Sequence, residues 1–379
     1  MPWDVFTQRA ETAPSKPFDL FPAPLPDTDR VKAAANLVAD SKTPMIFVGS
    51  GAIHARDEIL ELAELIDAPV VAFRSGRGIV SNAHELGLTM AAAYKLWPQT
   101  DLMIGIGTRM ELPTMFRWPF RPDGLKSVRI DIDPSEMRRY TPDAAVISDA
   151  KAGTSELLAA VRKNGYTKAR GRRTAIRDAS AAALKEIQQV QPQMAYLNIL
   201  RAVLPHDAIV TDELSQVGFA SWYGFPVYQP RTFITSGYQG TLGAGFPTAL
   251  GAKVAHPDRP VVAITGDGGF MFGVQELATA VQFNIGVVVL VFNNNAYGNV
   301  RRDQRERFDG RVVASDLVNP DFVKLAESFG VTAARVTSPE NFRPALEKAL
   351  AAGGPALIVI EVPKDSETTP WTFIHPAGP

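Results

Sequence analysis

An α/β fold of two doubly wound domains with mainly parallel sheets is what this sequence predicts, and three observations carry the prediction. Apolar runs of four to seven residues recur along the chain, stretches with helical spacing separate them, and several runs end in glycine-rich turns. Strands apolar on both faces belong to parallel sheets covered by helices on both sides.

The elements follow in order. Residues 1–27 carry prolines at Pro2, Pro14, Pro17, Pro22, Pro24 and Pro26 and read as an extended linker. A first domain spans 28–165. It opens with a helix over 31–39 and a strand at 44–48 closed by Gly49-Ser50-Gly51. A helix over 57–66 then sets Ile59, Leu62, Ala63 and Ile66 on one face, and strands follow at 70–73, 102–106 and 127–132. Lys, Arg and Gly crowd residues 162–177 with little apolar periodicity, so 166–189 reads as a solvated inter-domain linker. The second domain, 190–379, offers a helix over 194–204 and a strand at 208–211 ending at Asp212-Glu213. A glycine-rich stretch, 236–251, leads into a small-residue helix. Beyond it come a strand at 261–265, a helix over 270–283, a strand at 287–292, a helix over 322–329 and a last strand at 356–362.

Bulk properties exclude several classes. With 379 residues, 46% of them hydrophobic, the chain is long enough for two cores. The 39 basic and 40 acidic residues nearly cancel, so no overall field draws the protein to nucleic acid or to an anionic membrane, and a small-molecule ligand is expected. No cysteine occurs, which removes disulfides, thiolate metal sites and a cysteine nucleophile. Residues 1–27 hold no apolar run suited to a signal peptide or a membrane span, and the cytoplasm is the expected location. His54, His84, His206, His256 and His375 show no ligand pairing, and neither a zincin motif nor G-x-S-x-G is present, which sets hydrolase chemistry aside.

The chemistry concentrates at Gly266-Asp267-Gly268-Gly269, between a strand and a helix. In an open parallel sheet ligands collect at the carboxyl ends of strands. Glycines let backbone N–H groups approach an anion, and a helix beginning near Phe270 would point its positive end there. The next strand ends in Asn293-Asn294-Asn295, and right-handed crossover logic brings it to the same sheet edge. Neighbouring strands lie about 5 Å apart, so a carboxylate and an amide oxygen one strand over can share a cation. Magnesium takes hard oxygen ligands, one or two carboxylates completed by phosphate oxygens and water. Asp267 and Asn294 stand 27 residues apart, a distance filled by one helix and one buried strand.

Gly266-Asp267-Gly268 followed by Asn293-Asn294 resembles the thiamine diphosphate motif, and residues 274–281 are similar to the acetolactate synthase and benzoylformate decarboxylase branch. The resemblance implies thiamine diphosphate and Mg2+ as cofactors. It gives the metal to Asp267, Asn294 and the main-chain oxygen of Ala296, and the diphosphate to Gly266, Gly268, Gly269, Tyr297 and Gly298. The stretch from Ser236 to Pro247 resembles the segment around the cofactor rings. There the carbonyl of Gly240 would accept from the 4′-amino group, beside Thr241, and Leu242 would wedge between the rings. Ser215 and Gln216 match the other diphosphate-side loop.

Phe47-Val48-Gly49-Ser50-Gly51-Ala52, Ile106-Gly107-Thr108-Arg109 and 130–134 are similar to the family's central, Rossmann-like domain, which holds FAD or ADP in some members and nothing in others. FAD is an occupant the resemblance allows and the motif does not favour, since no full G-x-G-x-x-G occurs.

The resemblance covers a central and a C-terminal domain. The family's N-terminal pyrimidine-binding domain, with the glutamate that activates the cofactor, is absent from this sequence, so no residue of the chain is expected to be catalytic in that sense. Glu213 and Glu276 sit on the diphosphate side and do not replace it. Met1 is expected to stand where a full-length relative has an internal residue, or else a separate chain supplies the missing domain. The function implied is decarboxylation of a 2-oxo acid, with release of an aldehyde or ligation to a second carbonyl, in a homo-oligomer or with a partner chain. Two alternatives stay open. One is a non-catalytic or partner-dependent cofactor-binding module. The other is an acyl-CoA decarboxylase of the same family, in which Arg301, Arg302 and Arg305 would meet a carboxylate or a coenzyme A phosphate.

Overall fold

The computed structural model describes residues 2–17, 22–115, 117–237 and 239–378; Met1 and Tyr238, which enter the readings above, lie outside them. Two six-stranded sheets, parallel throughout, organise the chain. The first contains β1 (Pro44–Val48), β2 (Val70–Ala72), β3 (Gly87–Leu88), β4 (Leu102–Ile106), β5 (Lys126–Asp131) and β6 (Ala144–Ile147), in the order β3-β2-β1-β4-β5-β6. The second contains β7 (Ile209–Asp212), β8 (Phe233–Ile234), β9 (Val261–Gly266), β10 (Val288–Asn293), β11 (Thr332–Val336) and β12 (Ala356–Glu361), in the order β11-β12-β10-β9-β7-β8.

The first order reverses once, between β1 and β4; the second reverses between β7 and β9 and again at its far end, where β12 returns between β10 and β11. At such a reversal the helices leave on opposite faces and a crevice opens beyond the strand ends. Central strands are the most apolar because both faces are covered: β1, β4 and β10 are buried along their whole length. The flanking helices obey the same economy of surface. Helix Arg56–Ile66 buries Ile59, Leu62, Ala63 and Ile66, the face its spacing predicts. Asp27 caps helix Thr28–Asp40 by accepting from the N–H groups of Asp29 and Arg30.

The structure corrects two expectations. The single helix over 270–283 is broken: a four-residue turn of helix, Asp267–Phe270, is followed by tight turns and then by helix Glu276–Gln282. Gly268, Gly269 and Gly273 weaken the helix there, and the N–H groups of Phe272 and Gly273 bond three residues back to Gly269 and Phe270. The positive end expected from a long helix is thus only a short turn.

The second correction concerns the solvated linker 166–189. It contains helix Arg172–Ile187, which buries Ile176, Ala179, Ala183 and Ile187 and packs on helix Met90–Leu96. Its basic residues point inward as well as outward. Arg172 is buried and donates to the carbonyl of Pro44 at 3.0 Å, and Arg173 pairs with Asp67 at 2.6 Å. Small alanines on the buried face give a weak apolar signal, which is why composition alone reads the segment as a connector. Among the described residues no helix is long and apolar enough to cross a membrane.

Candidate functional site

The register of the second sheet sets the site. β9 and β10 pair with Gly266 opposite Phe292, so Asp267 and Asn294 leave adjacent strand tips. Asp267 is buried, and its Oδ2 accepts from the backbone N–H of Ala296 at 3.2 Å. Asn294 Oδ1 accepts from that same N–H at 3.1 Å. Two oxygens within hydrogen-bonding distance of one N–H are close enough for a single octahedral ion to span. The loop that presents them is held from outside: Asn295 adopts a positive φ of 53°, Ala296 bridges to Asp316, and Tyr297 N–H donates to Ser315 at 2.8 Å.

A cavity of about 180 Å³ opens on these groups. Its wall contains Ser215, Gln216, Leu242, Gly266, Asp267, Gly268, Gly269, Asn294, Ala296, Tyr297 and Gly298, so eleven of the thirteen residues singled out in the sequence come together. Gly240 and Thr241 do not reach it. They lie on the outer bend of their loop, Thr241 exposed and Gly240 packed over Leu214, and only Leu242 turns inward. The turn at 268–269 tolerates no side chain: a Cβ on Gly268 would strike the Tyr297 ring, and one on Gly269 the Glu213 carboxylate. Ser215 caps helix Gln216–Gly224 by accepting from Gly218 N–H at 3.1 Å, which leaves its hydroxyl hydrogen to donate. The Oε1 atom of buried Gln216 has no hydrogen-bond partner, an orphan of the kind a bound ligand or water satisfies.

Several carboxyls around the cavity are pushed up. Burial raises Asp267, opposed by hydrogen bonds from Asn319 and from the N–H groups of Gly268 and Ala296. Burial pushes Glu213 up to about 7, opposed by the N–H groups of Gly243 and Gly245. Asp212 is pushed up to about 8, again by burial, although Trp222 Nε1 donates to it at 2.5 Å. Glu367 reaches about 7 through burial of its carboxyl, with the nearby charge of Asp267 adding to the shift. Among the described residues no group of three or more His, Cys, Asp or Glu forms a metal cage. The candidate set is of another kind, one carboxylate with an amide and a main-chain oxygen, and it suits a hard cation that brings phosphate and water of its own.

Two residues escape the sequence reading. Asn319 donates to Asp267 Oδ2 at 2.7 Å and to Asn293 Oδ1 at 2.9 Å, and Glu367 accepts from Asn294 Nδ2 at 2.7 Å. Asn319 lies in a polar stretch and Glu367 beyond the last strand, where no periodicity marks them. The usable signal is topological: β12 is parallel to β10, so the chain leaving it emerges beside Asn293. The arginine run lies in helix Gly298–Arg307 and is engaged by the protein itself. Arg301 pairs with Asp316 and Asp365, Arg305 with Asp365, and Arg302 with Asp303.

The first sheet has its own crevice at the β1/β4 reversal, about 480 Å³, bordered by Gly49, Gly51 and Gly107. Five carboxylates, Glu111, Asp131, Asp133, Glu136 and Asp149, face it alongside Arg74 and Arg109. Arg77 ties this part of the chain to helix Gln216–Gly224 through the carbonyls of Ser221, at 2.9 Å, and Phe225 just beyond it.

Two doubly wound parallel domains, with a Gly-Asp-Gly turn one strand from an Asn-Asn pair, define a class of cofactor-dependent enzymes. The chain belongs to the thiamine pyrophosphate enzymes: residues 31–157 match the central domain of that family and residues 214–360 its C-terminal TPP binding domain. Within the family it is similar to acetolactate synthases. A probable acetolactate synthase large subunit of Methanocaldococcus jannaschii is 35% identical over 356 residues, covering 88% of this chain and 60% of that protein. An acetolactate synthase large subunit of Haemophilus influenzae is 29% identical over 339 residues, 85% of this chain and 59% of that one. A probable 2-ketoarginine decarboxylase of Pseudomonas aeruginosa is 31% identical over 337 residues, 87% and 59% respectively. The chain spans about 60% of the length of these relatives.

Proposed function

We propose that the protein binds thiamine diphosphate through Mg2+ and acts on 2-oxo acids, decarboxylating them and, in the manner of acetolactate synthase, joining the product to a second carbonyl. The observation that carries this reading is the convergence of Asp267 Oδ2 and Asn294 Oδ1 on the N–H of Ala296, at 3.2 and 3.1 Å. In it, Asp267, Asn294 and the carbonyl of Ala296 hold the cation. The turn at Gly266, Gly268 and Gly269 accommodates the diphosphate with Tyr297, Gly298 and the side chains of Ser215 and Gln216. Leu242 supports the rings, with Gly240 and Thr241 approaching only if their loop closes. When bound, thiamine diphosphate supplies the carbon nucleophile and electron sink for cleaving the bond next to a 2-oxo group. This chain's own residues position it, donate hydrogen bonds to it and wall off water.

By the family resemblance the activating glutamate belongs to a domain outside the matched residues, so activity requires that domain from a partner chain or a longer polypeptide, in a homo-oligomer or a mixed one. The division into 28–165 and 190–379 belongs to the same proposal, as does a cytoplasmic location. FAD is not part of it, since no full G-x-G-x-x-G occurs in the sequence. The acyl-CoA alternative is the less favoured reading, because Arg301 and Arg305 pair with Asp316 and Asp365 and Arg302 with Asp303. The test is calorimetric binding of thiamine diphosphate with and without Mg2+, followed by carbon dioxide release from pyruvate and 2-ketoarginine with an N-terminal domain supplied in trans. Binding that needs Mg2+ and is lost in Asp267→Ala supports the reading. Binding indifferent to Mg2+ overturns it, and binding without turnover leaves the binding-module alternative.

A further inference from the structure

An asparagine side chain is a cation ligand only when its oxygen faces the ion, because the NH2 end repels it. Asn294 has nothing in its own covalent structure to select one orientation over the other. Its surroundings do: Oδ1 accepts from Ala296 N–H at 3.1 Å on the Asp267 side, while Nδ2 donates to Glu367 Oε2 at 2.7 Å on the other. A carboxyl, ionised or not, keeps an oxygen that only accepts, and Oε2 in that role admits the NH2 end of the amide and rejects the oxygen end.

Glu367 is not in place by accident of a loose tail. The segment that carries it is fastened on both sides to helix Gly298–Arg307, which begins four residues after Asn294. Arg301 pairs with Asp365, and Arg302 donates to Thr369 Oγ1 at 2.7 Å. Glu367 is half-buried in the cavity wall and forms no ion pair among the described residues, so its carboxylate serves no cation of the protein.

We propose that Glu367 is a positioning residue for the metal site: it holds the Asn294 amide with its oxygen toward Asp267 and thereby sets the affinity for the divalent cation. The inference rests on the reading of the Asp267–Asn294 pair given above. Outer partners of metal ligands of this kind govern affinity by about 10–100-fold.

The test compares wild type, Glu367→Ala and Glu367→Gln in the full chain, titrated with Mg2+ at saturating thiamine diphosphate in a calorimeter, with ligand-free melting curves beside them. The alanine variant truncates into an existing cavity, so its ligand-free melting matches wild type, which separates this role from a structural one. Its Mg2+ affinity falls about 10–100-fold. Glutamine can still accept the Asn294 N–H through its oxygen, but its NH2 end also admits the flipped amide, so it falls between the two, about fivefold below wild type. Unchanged affinity in Glu367→Ala overturns the proposal, and so does a glutamine variant as weak as the alanine one, which would assign the effect to charge. A wild-type chain that takes up neither Mg2+ nor thiamine diphosphate sinks the underlying reading itself, an outcome distinct from both.

Discussion

Glu213 joins three segments of the candidate site, and its ionisation is coupled to folding. It follows β7, accepts from Gly243 N–H in the ring-side loop, and lies against Gly269 in the Gly-Asp-Gly-Gly turn. Its Oε2 has no hydrogen-bond partner. Burial raises its carboxyl from an ordinary 4.5 to about 7. A raised carboxyl binds its proton more tightly folded than unfolded, so its contribution to stability is fully present below pH 4.5 and is lost as pH rises to about 7. At 1.36 kcal/mol per pH unit, about 2 to 3 kcal/mol disappears between pH 5 and pH 8. Glu213→Gln keeps the volume and an acceptor for Gly243 but does not titrate. Asp212, which Glu213 raises, titrates lower in the variant, and this adds to the difference instead of cancelling it. Urea unfolding of the ligand-free protein at both pH values measures the wild-type minus variant gap, in which the constant cost of the new amide cancels. The gap should shift against wild type by about 2 to 3 kcal/mol on going from pH 5 to pH 8. A gap that does not change with pH would falsify the assignment of Glu213 as a buried carboxyl protonated in mild acid.

Two further outcomes follow from the packing. Gly268→Ala places a methyl against the Tyr297 ring and displaces the loop that carries Asn294 and Ala296; it should cost about 1–3 kcal/mol of stability and lower cofactor affinity beyond that of a folded control, measured by melting and calorimetry. Arg301→Ala combined with Arg305→Ala frees Asp365 of both its arginines, and hydrogen exchange should quicken in residues 363–371 while β10 and β12 stay protected; equal exchange there in both proteins refutes the fastening of that segment.

Which parts were legible in the sequence follows from where the physical signal is local. Strands buried on both faces must be apolar throughout, so β1, β4, β9, β10 and β12 announce themselves. β11 sits at a sheet edge and carries mostly exposed or half-exposed residues, Thr332 through Arg335, so no apolar run marks it. Helix Gly298–Arg307 buries only Arg302 and is tied to distant aspartates by ion pairs, so no apolar face marks it. Helix Arg172–Ile187 fills its buried face with alanines among basic residues. Asp267 and Asn294 were readable because their strands are sequential neighbours and pair side by side. Asn319 and Glu367 reach the site through tertiary packing from segments 25 and 73 residues past Asn294, and nothing in local pattern reports such a contact.

The central claim is that the oxygens of Asp267 and Asn294 grip one divalent ion. Crystals grown with thiamine diphosphate and Mn2+ in place of Mg2+ give an anomalous peak at the metal. The account predicts that peak about 2.1 Å from both the Asp267 carboxylate and the Asn294 amide oxygen, with diphosphate oxygens completing the octahedron. A cation bound elsewhere, or one that touches Asp267 while the amide at 294 turns its nitrogen inward, contradicts it.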